Sequence, residues 1–108
     1  MKALLINPEK QTIEEIQIED GLKPMYDAIG NDCEMVEAPI QFEHDILYCD
    51  KEGRLKANNY GFYPNSWDYP ILGNALIMGV DEDGESTDVK STIGEIKKWI
   101  QDWFYEQS

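Results

Sequence analysis

Basic residues are scarce in this chain. Its 108 residues include 9 lysines and arginines against 22 aspartates and glutamates, which gives a formal net charge of -13 at pH 7. A charge of this size and sign repels nucleic acid and anionic lipid surfaces. We therefore expect no direct nucleic-acid binding. Any partner that is selected by charge should be a basic protein.

The chain also lacks a long apolar segment. The longest one, Ile71 to Val80, is interrupted by Gly73 and Asn74 and has about half the length that spans a bilayer. The apolar run near Met1 is shorter than the core of a secretory signal peptide. We therefore expect no membrane segment and a cytoplasmic location.

Residues that commonly carry catalysis are few. His44 is the only histidine, and although Asp45 beside it could orient a base, no nucleophile motif accompanies the pair. Cys33 and Cys49 favour buried thiols, leave a disulfide open, and would need carboxylates to complete a zinc site. No glycine-rich phosphate loop is present. The sequence thus predicts a protein that is not an enzyme and needs neither a metal nor another cofactor.

The residues that are present predict one small α+β domain, residues 1–108. The expected sheet is mixed, mainly antiparallel and about five-stranded, with two helices on one face. Apolar runs and alternation predict strands at residues 2–7, 12–18, 33–38, 45–49, 54–56 and 75–80. Helical spacing predicts helices over Leu22–Ile29 and Thr92–Tyr105.

Details of spacing refine this prediction. Ile13 and Ile16 lie three residues apart, which suggests a bulge or a helical turn in the second strand. Thr92 and Glu95 have the spacing of a capping box at the start of the last helix. The acidic segment 81–86 does not match the ligand spacing of a calcium loop and is therefore expected to be a turn.

An aromatic segment, Tyr60 to Pro70, lacks the periodicity of a strand or helix and is expected to be an irregular loop. It could complete the core, form an exposed docking patch, or line a pocket for a small ligand. Its candidate contact residues are Tyr60, Phe62, Tyr63, Trp67 and Tyr69.

Acidic residues on two expected strands form a second candidate contact surface. Glu14 and Glu15 belong to one strand, and Glu34 and Glu37 to another. One interpretation is an ordinary solvated surface. The other is that these carboxylates imitate the phosphates of a nucleic acid and occupy a basic groove on another protein.

The order of several segments resembles a known family. These segments are residues 1–8 (MKALLINP), the helix end at Ile29 and Gly30, residues 47–56 (LYCDKEGRLK) and residues 71–79 (ILGNALIMG). Between Met1 and about Val80 the chain resembles the small proteins grouped as domain of unknown function 3846. The aromatic segment and the tryptophan-rich end are less typical of that group.

The resemblance implies an accessory protein of a phage, plasmid or bacterium, with no established catalytic residues. Combined with the charge, this predicts a non-enzymatic acidic binding protein that inhibits or adapts a basic, nucleic-acid-binding host protein. The alternative is a protein that binds or sequesters a small ligand in an aromatic pocket.

Overall fold

The computed structural model describes residues 1–53, 55–56, 60–65 and 67–105. Nine strands and two helices, each numbered in chain order, form the described part. The strands are β1 (Lys2–Asn7), β2 (Thr12–Gln17), β3 (Val36–Gln41), β4 (Asp45–Asp50), β5 (Tyr60–Pro64), β6 (Ile71–Leu72), β7 (Ala75–Val80), β8 (Ser86–Thr87) and β9 (Ile100–Tyr105). The helices are α1 (Leu22–Ile29) and α2 (Ile93–Trp99).

The main sheet has the strand order β2-β1-β7-β4-β3, and the short β8 pairs with β7. Every pairing in it is antiparallel. Strand β7 lies in the middle and is buried along its length except at Val80, as its continuous apolar sequence predicts. The predicted α+β class, with two helices and about five strands in the main sheet, is confirmed.

The two helices lie against opposite faces of the main sheet, whereas the sequence predicted both on one face. Side chains alternate along β7, so Leu76 and Met78 join the cluster that contains Met25 of α1. Ile77 joins the other cluster, which contains Ile96 of α2. Because both faces of the central strands are apolar, both need a cover.

A second, smaller sheet has the order β6-β5-β9 and packs on the α2 side of the main sheet. Phe62 of β5 is fully buried there, and Trp103, which pairs with it on β9, packs against the same cluster. The predicted irregular loop from Tyr60 was therefore wrong for its first five residues, which form β5.

The predicted long C-terminal helix was wrong beyond Trp99. The capping box is present, with Thr92 and Glu95 bonding each other's backbone N–H groups, but the chain turns extended at Ile100. Residues 100–105 then pair with β5 as β9. Aromatic residues favour strands, and here Trp103 and Phe104 pair across from Phe62 and Gly61 of β5.

The β1–β2 hairpin forms as predicted, without a bulge or helical turn. Its register is continuous, and Ile13 pairs with Ile6 while Ile16 pairs with Ala3. Ile13 therefore faces the α2 side of the sheet and Ile16 the α1 side. The odd spacing of the two isoleucines reflects a strand that contacts a core on each face.

Strand β3 begins and ends three residues later than predicted and contains Pro39 beside a register shift. It forms a hairpin with β4. The predicted pairing of β4 with a following strand is not seen, because Leu55 and Lys56 lie in a turn and a bend. Arg54, the first residue of that predicted strand, lies outside the described residues.

Candidate functional site

Three strand ends meet at one end of the main sheet. Ile6 of β1 and Cys49 of β4 both pair with Ala75 of β7, so these three residues form one row across the sheet. The chain neighbours of this row are polar. Asp50 follows β4's Cys49, and Asn74 precedes β7, so the register places both side chains at this end of the sheet.

Three consecutive residues after α1 form one wall at this end. Gly30, Asn31 and Asp32 have φ angles of 76°, 52° and 54°. Glycine adopts such angles freely, and asparagine and aspartate tolerate them better than other residues with a side chain. A run of three is unusual backbone, and such backbone concentrates at functional sites.

Lys56 fixes this wall to the end of β4. Its ammonium donates hydrogen bonds to the carbonyl oxygens of Asn31 (2.9 Å) and Asp32 (2.8 Å) and to Oδ2 of Asp50 (2.8 Å). The bond to Asp50 is the main reason that the pKa of Lys56 is raised. Asp50 itself is only 6% exposed and also accepts a bond from the N–H of Glu52.

A cleft of about 350 Å³ lies beside this wall. A second pocket of about 270 Å³ adjoins it, and the two share Pro8, Glu9 and Tyr60. The outer pocket is lined by the aromatic end of β9, where Tyr105 packs against Tyr60 with ring centroids 5.0 Å apart. We call the two together the end cleft. Its lining residues are Pro8, Glu9, Gln11, Ile29, Gly30, Asn31, Asp50, Tyr60, Leu72, Gly73, Asn74, Trp103, Phe104 and Tyr105.

The end cleft was not predicted from the sequence. Its polar groups come from four separated turns and strand ends, and only the strand order brings them together. A local signal existed in the pairs Gly30–Asn31 and Gly73–Asn74, since both glycines have positive φ angles. Glycine followed by asparagine at the end of an element favours sharply turned backbone.

The four acidic candidates are divided between the two edges of the main sheet. Glu14 and Glu15 lie exposed on the edge strand β2, whereas Glu37 lies on the opposite edge strand β3, with Glu34 just before it. Three strands separate these edges, a distance of roughly 19 Å at the usual strand spacing. They therefore form two pairs and not one row.

Each acidic pair has local contacts. Oε1 of Glu15 lies 3.6 Å from the ammonium of Lys2. Oε1 of Glu37 accepts a weak hydrogen bond from Sγ of Cys49 at 3.9 Å. Charges on edge strands also discourage pairing with another sheet, so part of this pattern protects the fold.

The aromatic candidates are divided between core and surface. Phe62 is fully buried, and Tyr60 and Tyr63 are half-buried. Trp67 is 39% exposed and Tyr69 58% exposed. The segment thus completes the core with its first half and remains at the surface with its second half.

The structure brings one acidic and one aromatic candidate together. Glu37 and Trp67 line the same small pocket of about 80 Å³, beside Pro39 and Pro70. We call Glu37 and Trp67 the β3-edge patch, and the two predicted contact surfaces meet there.

The Asp45 carboxylate, considered as a possible orienting partner of His44, is bonded to another part of the chain. The exposed His44 ring lies 3.7 Å from Oε1 of Glu43, while the Asp45 carboxylate accepts bonds from Lys90 and Ser91. Asp45 therefore orients the backbone before α2 and not a catalytic base.

Both thiols are buried, as predicted, and free. Cys33 and Cys49 belong to different core clusters on opposite faces of the sheet. Burial raises the pKa of Cys33 and raises that of Cys49 to about 12, with smaller contributions from nearby carboxylates. Each thiol therefore stays protonated at neutral pH, which makes it a poor nucleophile.

The acidic segment 81–86 forms the predicted turn. Oδ1 of Asp81 accepts bonds from the N–H groups of Asp83 and Glu85, and Gly84 has a φ of 81°. In the described ranges, no group of three or more histidine, cysteine or acidic residues is arranged to hold a metal ion. Over the same residues, no helix is long and apolar enough to cross a bilayer.

A family model described as domain of unknown function (DUF3846) matches residues 1–103. The chain belongs to this family. The resemblance first seen between Met1 and about Val80 is therefore confirmed, and the family match continues through α2 into β9, so the less typical segments belong to the same unit. No curated protein and no solved structure gives a significant match to the chain.

Proposed function

We propose that this chain is a non-enzymatic binding protein that engages a basic protein through its acidic surface. It acts in the cytoplasm as an accessory protein of a phage or other mobile element, where it inhibits or adapts a nucleic-acid-binding host protein. The family assignment fits this role without specifying it, because it carries no activity or catalytic residues.

The observation that carries the proposal is the surplus of exposed carboxylates over lysine partners. Within the described ranges, lysine ammonium groups lie within ion-pair distance of Glu15, Asp27 and Asp50. Most of the 22 acidic residues instead face solvent. An uncompensated field of this kind accelerates encounter with a basic surface and makes the affinity depend on salt.

The two sheet edges define how a partner could be contacted. Carboxylates occur on β2 and on β3, at separated positions that a basic groove or a pair of basic loops could span. The β3 edge also offers the exposed Trp67, and exposed tryptophan is enriched where binding energy concentrates. The β3-edge patch is therefore the better candidate for the main contact.

A direct test uses a labelled decalysine peptide as the basic probe, with affinity measured by fluorescence anisotropy at low and high salt. Three charge-matched variants are compared: Glu14→Lys with Glu15→Lys, Glu34→Lys with Glu37→Lys, and Glu82→Lys with Glu85→Lys. The last pair lies on the β7–β8 turn and is the control. We expect salt-sensitive binding that the two edge variants weaken more than the control does.

Two results would contradict the proposal. If the wild-type protein does not bind the peptide at low salt, the proposed attraction to basic proteins is wrong. Equal loss in all three variants shows that only net charge matters and that neither edge is a contact surface. For the version in which carboxylates imitate phosphates, Tyr63→Ala and Trp67→Ala should weaken binding less than the edge variants do.

The small-ligand alternative has less support. Of the five aromatic candidates, only Tyr60 lines the end cleft, and Phe62 is buried in the core. Among the described residues, the end cleft is therefore walled mainly by residues outside the aromatic segment.

A further inference from the structure

The end cleft has the charge and the surfaces that select a cation. Its lining carboxylates are Glu9 and Asp50, and because Asp50 is already paired with the Lys56 ammonium at 2.8 Å, Glu9 supplies the negative charge that a ligand would meet. No lysine, arginine or histidine is found among the described residues that line the cleft. The chain as a whole carries a net charge of -13. An anionic ligand is thus disfavoured, and a positively charged one is attracted.

One wall of the cleft already holds a cation supplied by the chain itself. The Lys56 ammonium is bound by the carbonyl oxygens of Asn31 and Asp32 and by Oδ2 of Asp50, all within 2.9 Å. Asn31 and Asp50, which take part in this arrangement, also line the cleft. These three oxygens are occupied by Lys56, so a cation in the cleft would have to bind other lining groups.

The outer pocket of the cleft is aromatic and suits a planar cation. The rings of Tyr60 and Tyr105 are inclined by 34°, and both line the outer pocket. A guanidinium group stacks on tyrosine faces and donates several hydrogen bonds in one plane, whereas an ammonium group cannot stack. Side-chain oxygens of Glu9 and Asn74 in the lining can accept such bonds.

We propose that the end cleft receives an arginine side chain of the basic partner, stacked on Tyr60 and Tyr105 and hydrogen-bonded to Glu9 and Asn74. This inference rests on the proposed function, because it names the group of the basic protein that is recognised. The sheet edges attract any basic surface by charge, whereas the end cleft would recognise one arginine side chain. A free guanidinium compound and a lysine side chain are the competing occupants.

The test is an NMR titration of the intact chain with N-acetyl-arginine methylamide and with its neutral citrulline counterpart. We expect the arginine compound to shift the backbone amide signals of Gly30, Gly73 and Asn74, and the citrulline compound to bind more weakly by about threefold to tenfold, as loss of a cation–aromatic contact and a charged hydrogen bond implies. The corresponding lysine compound, N-acetyl-lysine methylamide, should bind with an affinity between those of the other two. Equal binding of the arginine and citrulline compounds, or shifts confined to other parts of the chain, would overturn the inference.

Substitutions in the end cleft test whether the arginine compound binds there. Glu9→Gln and Tyr60→Leu should each weaken arginine binding several-fold, while Glu82→Gln, an exposed residue of the β7–β8 turn outside the cleft, should leave it unchanged. Because Tyr60 also packs against Tyr105, the unfolding curve of Tyr60→Leu is recorded alongside, and Glu9→Gln, which lies in a turn, serves as the variant that keeps the core intact. If Glu9→Gln binds the arginine compound normally, and Tyr60→Leu is folded and also binds it normally, then the compound does not bind in the end cleft.

The decalysine experiment separates the two proposals. If the peptide binds with salt sensitivity but the arginine compound does not enter the cleft, the proposed function stands and this inference fails. If the arginine compound binds in the cleft while the peptide does not bind at all, the cleft is a site for a small guanidinium compound, and the basic-protein partner is wrong.

Discussion

The carboxylate of Asp45 accepts hydrogen bonds from both the backbone N–H and the hydroxyl of Ser91, 46 residues further along the chain. The N–H of Lys90 bonds to the same carboxylate at 2.9 Å. Asp45 is 2% exposed, so these bonds are shielded from water. They attach the beginning of β4 to the segment that enters α2.

Removing this carboxylate should destabilise the protein. Asp45→Ala leaves the N–H groups of Lys90 and Ser91 without their acceptor, and we expect the free energy of unfolding to fall by roughly 1–3 kcal/mol. Urea unfolding followed by circular dichroism measures it. Glu43→Ala, two residues away and exposed, is the control and should change little; a loss of similar size there would contradict this role for Asp45.

Two glycine-to-alanine substitutions should have opposite effects. At Gly79 an added Cβ would lie 2.1 Å from the carbonyl oxygen of Asp88, so the backbone of a neighbouring segment must move. At Gly94, within α2, the nearest atom would be 3.9 Å away. We expect Gly79→Ala to cost about 1–3 kcal/mol and Gly94→Ala to stabilise by about 0.5–1 kcal/mol. Thermal unfolding of both variants tests this, and a shift of the melting temperature in the same direction for both would refute it.

The N-terminal cap of α2 should contribute measurably to stability. Oγ1 of Thr92 accepts a bond from the N–H of Glu95 at 3.1 Å, and Oε1 of Glu95 accepts one from the N–H of Thr92 at 3.0 Å. We expect Thr92→Ala to lower the free energy of unfolding by about 1 kcal/mol, and Thr92→Ser to keep most of it. Denaturant titration measures the free energy of unfolding of both variants. If Thr92→Ser is as unstable as Thr92→Ala, the lost stability does not come from the capping hydrogen bond.

Stability should decline at alkaline pH, partly through Cys49. Burial raises the pKa of this thiol from its ordinary value of 9.0 to about 12. The folded state therefore binds the proton more tightly, so this contribution is complete below about pH 9 and is lost as the pH rises toward 12.

The Cys49→Ala variant isolates this contribution. Between these two pKa values, the free energy of unfolding of the wild type should fall more steeply than that of the variant, by up to about 1.4 kcal/mol per pH unit. Urea unfolding at a series of pH values measures the two slopes. Parallel slopes would show that Cys49 titrates normally in the folded protein.

Local pattern was sufficient for several elements. The run from Ala75 to Val80 and the segment Lys2–Asn7 are strands with the predicted bounds, and α1 spans the predicted residues. The capping box at Thr92 marks the start of α2 correctly. In each case neighbouring residues alone supply the signal, either as a continuous apolar run or as side chains that bond the adjacent backbone.

Long-range pairing decided what local pattern could not. Residues 100–105 continue a helical spacing, yet they form a strand because β5 is available to pair with them. Cys49 and Cys33, both assigned to strands by sequence, prove to lie on opposite faces, with Cys33 ahead of β3. Spacing along a chain says little about which partner strand will be present.

The composition by itself determined the acidic character of this protein and the scarcity of catalytic residue types, and the periodicity of its apolar residues indicated the α+β class. Tertiary structure alone decided that the acidic residues separate onto two sheet edges and that Glu9, Asn31, Asp50 and Asn74 surround one cleft. The physical reason is the strand order, which places β2 and β3 at opposite edges and brings the ends of β1, β4 and β7 together.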